Sequence, residues 1–385
     1  MNFENTEIAF SYKSKKELLK AFWLFKLIGN ATLTKIGTSI TPFLIHYVPF
    51  SKAIIKNTIF KQFCGGESLQ EADITALNLK KFNIDTIMDY SLEGKSNEAE
   101  YDKTTQEFIN TILFAKTKNY IPFISIKITA FAALELLEKW HLNIPLNENE
   151  LLSKERILTR IEKICQCAFE NNTKILIDAE ESWIQHPIDE IAFDMMKKFN
   201  TQNAIVFNTY QLYRWEMLEN LKKAHQHAIE NNYFLGAKLV RGAYMEKERA
   251  RAIEKNYTSP IQETKEKTDI DYNLAVEFCL ENINKIALFI GTHNEESCKF
   301  AIEKMNEKNI DKTNDIFFSQ LFGMSDNISF NLANAGYHVS KYLPYGPVKD
   351  VIPYLMRRAK ENTSVAGQTT RELNLINKEI ERRKK

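Results

Sequence analysis

The stretch 338-HVSKYLPYGPVKDVIPYLMRRAKEN-362 is the part of the chain on which the fold turns. It reads as a strand (338–342), a Pro-Tyr-Gly-Pro turn, and a helix carrying the adjacent pair Arg357 and Arg358. One strand feeding one helix is a βα unit, and seven more apolar runs precede it, at 85–91, 122–129, 174–180, 204–210, 237–242, 286–293 and 316–323. Each is rich in β-branched or aromatic residues and continuous rather than alternating, the pattern of strands buried on both faces of a parallel sheet. Helical patterns fill the gaps at 104–118, 156–171, 188–199, 212–231, 271–284, 295–308 and 327–335. Such alternation implies an α/β fold, and eight repeats imply a closed (β/α)8 barrel of the TIM type. The competing arrangement is an open doubly wound sheet. That sheet would place a Gly-rich phosphate turn after its first strand, and the sequence has neither GxGxxG nor a P-loop. The expected organisation is a basic helical N-terminal extension (1–80), the barrel (81–365) with its last helix over the C-terminal face, and a basic C-terminal helix (366–385).

The chain's 385 residues exceed what one small core needs. Lys+Arg 51 against Asp+Glu 50 leaves almost no net charge, so no nucleic-acid partner is expected. The charge is uneven, however. Residues 1–63 hold nine Lys against three Glu, an excess of six. Within them 18-LLKAFWLFKLI-28 and 33–63 are apolar, helical and dotted with Lys. Such a segment can lie on an anionic membrane surface, or wrap the barrel with its Lys in solvent. The tail 371–385 carries three net positive charges and reads as a solvated helix. Five Cys, few and odd in number, argue against a disulfide framework. Cys165 and Cys167 lie in a helical pattern without a second pair or a nearby His, so they read as packing and no metal is expected. No run approaches the roughly 18 apolar residues of a membrane span, and the start MNFENTEIAF has no signal pattern. The expectation is an intracellular protein.

Polar residues gather at the carboxyl ends of the strand runs: Asp89 and Glu93, Lys127, Asp178 with Glu180 and Glu181, Asn208 and Gln211, Lys238 and Arg241, Thr292-His293-Asn294, Gln320 and Tyr342. Barrel enzymes build their active sites at that face. Any one of these could be a satisfied buried polar group; agreement among eight strands is what points to a site. The Arg pair adds a carboxylate trap, because each guanidinium offers a rigid fork of donors that matches two anionic oxygens. Tyr354, Arg357, Arg358 and Glu361 fall at i, i+3, i+4 and i+7 and share one helical face.

Four segments in order resemble the proline dehydrogenase family of flavin enzymes: 177-IDAEE-181, 238-KLVRGAY-244, 292-THNE-295, and 342-YLPYGP-347 with Arg357-Arg358 and Glu361-Asn362. The resemblance covers about residues 75–365 and favours the single-activity, mitochondrial-type branch, which 208-NTYQ-211 and Lys238 also fit. It implies FAD as cofactor, L-proline as substrate and a membrane quinone as electron acceptor. By the family's pattern Arg357, Arg358 and Lys127 grip the carboxylate, with Asp178 and Glu93 as their ion-pair partners. Tyr342 closes over the ring, and Leu321 is its apolar floor. For the flavin the resemblance implies Asn208, Lys238, Val240, Arg241, Gly242, Tyr244, Thr292, His293, Asn294 and Gln320. It also implies a cytoplasmic location, or the matrix side of the inner membrane in a eukaryote, with residues 1–63 available for peripheral membrane contact.

Two rivals remain open at this level. A hydroxyproline dehydrogenase would share fold and chemistry, although the phenol of Tyr342 crowds the position of the extra hydroxyl. A phosphate-handling barrel aldolase or isomerase would place an anion after strands seven and eight, with Lys127 as its Schiff-base residue.

Overall fold

The computed structural model describes residues 1–30, 32–35, 51–90, 97–312, 314–364 and 368–384, the side chains of 360–364 and 368 excepted. Eight parallel strands close into a barrel in chain order. They are β1 (Ile84–Tyr90), β2 (Phe123–Ile126), β3 (Lys174–Ile177), β4 (Val206–Gln211), β5 (Leu235–Val240), β6 (Ile286–Gly291), β7 (Ile316–Leu321) and β8 (Val339–Tyr345). The principal helices are α1 (Lys15–Ile28) and α2 (Leu69–Lys80) before the barrel; α3 (Glu98–Ala115), α4 (Glu148–Glu170), α5 (Ser182–Phe199), α6 (Met217–Glu230), α7 (Met245–Lys255), α8 (Lys265–Glu281), α9 (Glu295–Glu307) and α10 (Asp326–Asn334) between strands; and α11 (Val348–Ser364) and α12 (Gln368–Arg382) after β8. The expected (β/α)8 barrel is the fold, and each of the eight apolar runs overlaps a strand.

Strand β8 and helix α5 depart from the sequence expectation for identifiable reasons. Strand β8 does not stop at Tyr342 but continues through Pro344 to Tyr345, paired with β1 at Asp89↔Pro344 and Tyr90↔Tyr345. Proline has no N–H to give, but its carbonyl still accepts, and here it takes the Gly65 N–H at 2.8 Å while Gly66 bridges Tyr345. Helix α5 starts at Ser182 rather than after Pro187, which sits inside it. Glu248 accepts from both the Ser182 N–H and its hydroxyl, each at 2.6 Å. A distant carboxylate thus satisfies the exposed helix start, a device that local sequence cannot reveal.

The chain forms two compact units, Met1–Glu93 with Ser319–Lys385, and Gly94–Phe318. In the second, Phe123 meets Phe207, Phe289 and Phe317 edge to face, with ring centroids 4.8–5.9 Å apart, and plugs the inside of the barrel with an apolar layer. In the first, α1 buries Leu18, Ala21, Phe25 and Ile28 in one cluster with Phe60, Phe63, Val348, Val351, Leu375, Ile376 and Ile380. A Ser14–Glu17 capping box starts α1. The C-terminal helix α12 is therefore packed, not solvated. Its apolar face lies in that cluster, and its fully buried Glu379 takes both Arg382 and Arg383.

A close backbone approach within this unit makes a test. Gly323 has φ +77, and a Cβ there would stand 1.9 Å from the Gln62 carbonyl oxygen. Gly323→Ala is expected to lower the urea midpoint, with about 1–2 kcal/mol from backbone conformation before any displacement. An unchanged midpoint would contradict the close approach.

Candidate active site

Strand register assigns side chains to faces. Phe207 lies in the inner aromatic layer, so Thr209 and Gln211, two and four residues on, also face inward. Lys238 is the register partner of Thr209 and of Phe289, which places it on the same face. There its ammonium lies 2.6 Å from Asp178 Oδ1, both side chains largely buried at 7% and 15% exposure. Lys127 follows β2 in extended conformation (φ −115, ψ 137) and continues the inward alternation of Phe123 and Ser125. Behind it Glu180 accepts hydrogen bonds from the Thr129 N–H and hydroxyl, fixing the turn that presents Lys127. Burial pushes the Glu180 carboxyl up to about 7 against the opposing pull of Lys127 and Thr129.

Gln211 is 2% exposed, and its Oε1 has no hydrogen-bond partner among the described residues. An unsatisfied buried amide oxygen on the inner face is a site awaiting a donor. Asn208, expected from sequence to face the cofactor, is on the other side of the strand. Its Nδ2 donates to Asp189 of α5 at 2.8 Å and its Oδ1 accepts from the Thr209 N–H at 2.9 Å. Alternation along β4 is the reason, and counting in twos from Phe207 would have chosen Gln211.

At the ends of β5 and β6, Arg241 is spread over three partners: Asp269 at 2.7 Å, the Thr292 hydroxyl at 2.7 Å and the Ser297 hydroxyl at 2.9 Å. Its guanidinium lies 4.3 Å from the centroid of the Tyr272 ring. Burial alone would raise the Asp269 carboxyl, but bonds from Lys265 and Arg241 hold it below the usual range. Asn294 is the N-cap of α9, its Oδ1 accepting from the Ser297 N–H at 3.1 Å. Thr292 Oγ1 accepts the Asn294 N–H at 3.1 Å. Half-buried His293 lies between them. This constellation holds a helix N-terminus beside a fixed guanidinium, an arrangement suited to a phosphate group. Val240 faces inward as the register partner of Gln211. Gly242 has φ +130 and lies so close to Tyr213 that a Cβ would come 2.5 Å from the ring. Tyr244 is half-buried at the start of α7. Asp269, Ser297, Asp189 and Glu248 escaped the sequence reading because they come from helices rather than strand ends.

In the other unit, Tyr342 is 9% exposed and pairs in register with Ile87. Its carbonyl accepts the Phe322 N–H at 2.9 Å, which joins it to the residue after half-buried Leu321. Gln320 is turned to the helix layer, where Ser329 of α10 donates to its Oε1 at 2.7 Å. Arg357 and Arg358 are half-buried on α11, the Arg358 guanidinium 5.5 Å from the centroid of the Tyr354 ring. Glu93 and the Glu361 side chain lie outside the described residues.

Residues 72–371 match the proline dehydrogenase family. The chain belongs to that family. It is 33% identical to mitochondrial proline dehydrogenase 1 of Dictyostelium discoideum, over 96% of this chain and 73% of the relative. It is 32% identical to the carbapenem antibiotics biosynthesis protein CarD of Pectobacterium carotovorum, over 83% of each chain. Among solved structures, proline utilization A from Bdellovibrio bacteriovorus superposes with a TM-score of 0.75 at 21% identity, covering 96% of this chain and 40% of that one. The last likeness is one of fold. Members of the proline dehydrogenase family are oxidoreductases acting on proline.

The raised Glu180 carboxyl predicts a pH dependence. Between its ordinary 4.5 and about 7 the folded chain keeps a proton that the unfolded chain has released, so stability falls as pH rises through this window, by up to about 3 kcal/mol. Glu180→Gln is expected to lessen the fall in the denaturation midpoint from pH 4.5 to 7, the remainder coming from Glu372, whose carboxyl burial also raises to about 7. An unaltered slope would show that Glu180 is not buried in its neutral form.

Proposed function

We propose that this chain is a FAD-dependent L-proline dehydrogenase that converts proline to 1-pyrroline-5-carboxylate, a quinone serving as final electron acceptor. The reading rests above all on the buried Lys238–Asp178 pair and the Gln211 amide oxygen, without a partner among the described residues, sharing one inner face, in a chain that matches the proline dehydrogenase family over residues 72–371. Bound FAD would supply the flavin N5 that accepts a hydride. The chain's residues fit such a group. Lys238 offers a cation to the isoalloxazine, and Gln211, in place of Asn208, offers the amide. Arg241, Thr292, His293 and the helix start at Asn294 suit the ribityl, pyrophosphate and adenosine portions. Val240, Gly242 and Tyr244 line the approach, while Asn208 and Gln320 brace the strands from behind.

For the substrate, Arg357, Arg358 and Lys127 hold the carboxylate, and Asp178 and Glu93 balance their charge, since buried cations need such pairing. Tyr342 covers the ring and Leu321 forms its floor. The residues' share of the chemistry is to orient the carbon beside nitrogen, exclude water and favour the neutral amine; proline that enters already deprotonated requires no strong base.

A hydroxyproline dehydrogenase of Xenopus laevis is 30% identical over 97% of this chain and 88% of the relative, which keeps hydroxyproline as the second reading. The Tyr342 phenol favours proline.

No helix among the described residues is long and apolar enough to cross a membrane. On α1, Leu19, Trp23 and Leu27 stand 41%, 57% and 54% exposed at i, i+4 and i+8, with Lys16 and Lys20 near them in sequence and the Lys26 ammonium 4.9 Å from the centroid of the Trp23 ring. This pattern supports peripheral contact with an anionic membrane, the source of the quinone, by a protein of the cytoplasm or mitochondrial matrix.

A visible spectrum tests cofactor and substrate together. Purified protein should be yellow and should bleach when proline is added, and colourless protein that takes up no FAD would refute the proposal. Arg357→Met should raise KM for proline far more than it weakens FAD binding, because losing one partner of a buried charge contact costs on the order of 2–5 kcal/mol. An unchanged KM would remove Arg357 from the carboxylate site.

A further inference from the structure

Lys341 is the residue before Tyr342 on β8, and its side chain is fully buried on the opposite face of the strand. A Lys is almost never fully buried without partners, and this one has three on the turn between β7 and α10. Its ammonium lies 2.9 Å from Asp326 Oδ1, placed as an ion pair rather than an aligned hydrogen bond. It donates to the Met324 carbonyl at 2.6 Å and reaches the Leu321 carbonyl at 3.4 Å. The turn is gripped from two further directions. Tyr12 of the N-terminal segment donates to Asp326 Oδ2 at 2.6 Å, with the Lys13 ammonium 3.9 Å away. Glu372 of α12 accepts the N–H of Ser325, whose backbone is left-handed at φ +49. Burial, with Asp326 nearby, raises the Glu372 carboxyl to about 7. Burial would raise Asp326 as well, but Lys341, Lys13 and Tyr12 hold it low.

We infer that Lys341 is a positioning residue for substrate selection. Its ammonium locks the 321–326 turn against β8 and so sets the spacing between Leu321 and Tyr342, while Tyr12 and Glu372 make both chain ends part of the lock. The inference rests on the proline reading, in which Leu321 and Tyr342 are the floor and cover of the substrate ring. A purely structural pair would shift stability and cofactor content together. A positioning pair shifts KM and discrimination between proline and 4-hydroxyproline while leaving the flavin in place.

The test compares Lys341→Met, the double variant Lys341→Met/Asp326→Leu, and Tyr12→Phe in the full chain. The measurements are melting temperature, flavin-to-protein ratio, and steady-state kinetics with proline and 4-hydroxyproline. Lys341→Met strands a buried carboxylate and should lose stability; removing both charges should recover most of it. The recovered double variant should keep its flavin and a kcat within about twofold of wild type, yet show KM for proline raised about tenfold and a reduced preference for proline over hydroxyproline. Tyr12→Phe should move KM in the same direction by a smaller factor. A double variant with wild-type KM and preference would overturn the role of Lys341, as would KM rising only in proportion to lost stability. If the double variant does not fold, an unchanged KM in Tyr12→Phe overturns it. Wild-type protein that binds FAD but does not oxidise proline would overturn both this inference and the reading beneath it.

Discussion

The Lys238–Asp178 ion pair inside the barrel sets conditions that much else in the structure meets. Two opposite charges 2.6 Å apart, with little exposure, are an expense unless each keeps further partners. They stand at the strand ends, above a layer of Phe123, Phe207, Phe289 and Phe317 that offers no polar partner, so each charge depends on the other. Burial makes the Gln211 oxygen conspicuous, since among the described residues it has no hydrogen-bond partner, and an unmet buried oxygen is costly. Fold and site are thus linked through one constraint: inward positions alternate along each strand, so a single register decides which polar groups meet.

That constraint also explains what the sequence could and could not disclose. Eight continuous apolar runs were enough for the barrel, because parallel strands buried on both faces leave that signature whatever their function. The face each residue occupies was harder. Asn208 and Gln320 are polar and near strand ends, and both are turned to the helix layer, toward Asp189 and Ser329. Counting in twos from the buried Phe residues resolves Asn208, but only once it is known which Phe faces inward. Partners drawn from helices, such as Asp269, Ser297 and Glu248, left no local signal. Their carboxylates and hydroxyls resemble those of any solvated helix until the register brings them to Arg241 or to the start of α5.

The unit that holds the chain ends repeats the same physics on the outside of the barrel wall. Lys341 and Asp326 form a second buried pair behind β8. Tyr12 and Glu372 bring the N-terminal segment and α12 to it, from the two regions that composition alone would assign to solvent or a membrane surface. The excess of Lys in residues 1–63 and the buried face of α1 are compatible. Leu18, Ala21 and Phe25 pack inward, while Trp23 and Leu27 face out. A single helix can serve both the core and an interface because its period separates those two sets of residues.

Glu180 also bears on the proposed grip on the substrate. With its carboxyl near 7, it is largely neutral in mildly acidic conditions and ionised above. If Lys127 binds the substrate carboxylate as proposed, an ionised Glu180 competes for the same cation and weakens that grip as pH rises. The reactive form of proline, with its amine deprotonated, becomes more abundant over the same range. The two trends oppose each other, so the best pH for kcat/KM should lie above the value that favours binding alone. A buried carboxyl beside Lys127 can therefore set an operating range through the charge of its neighbour.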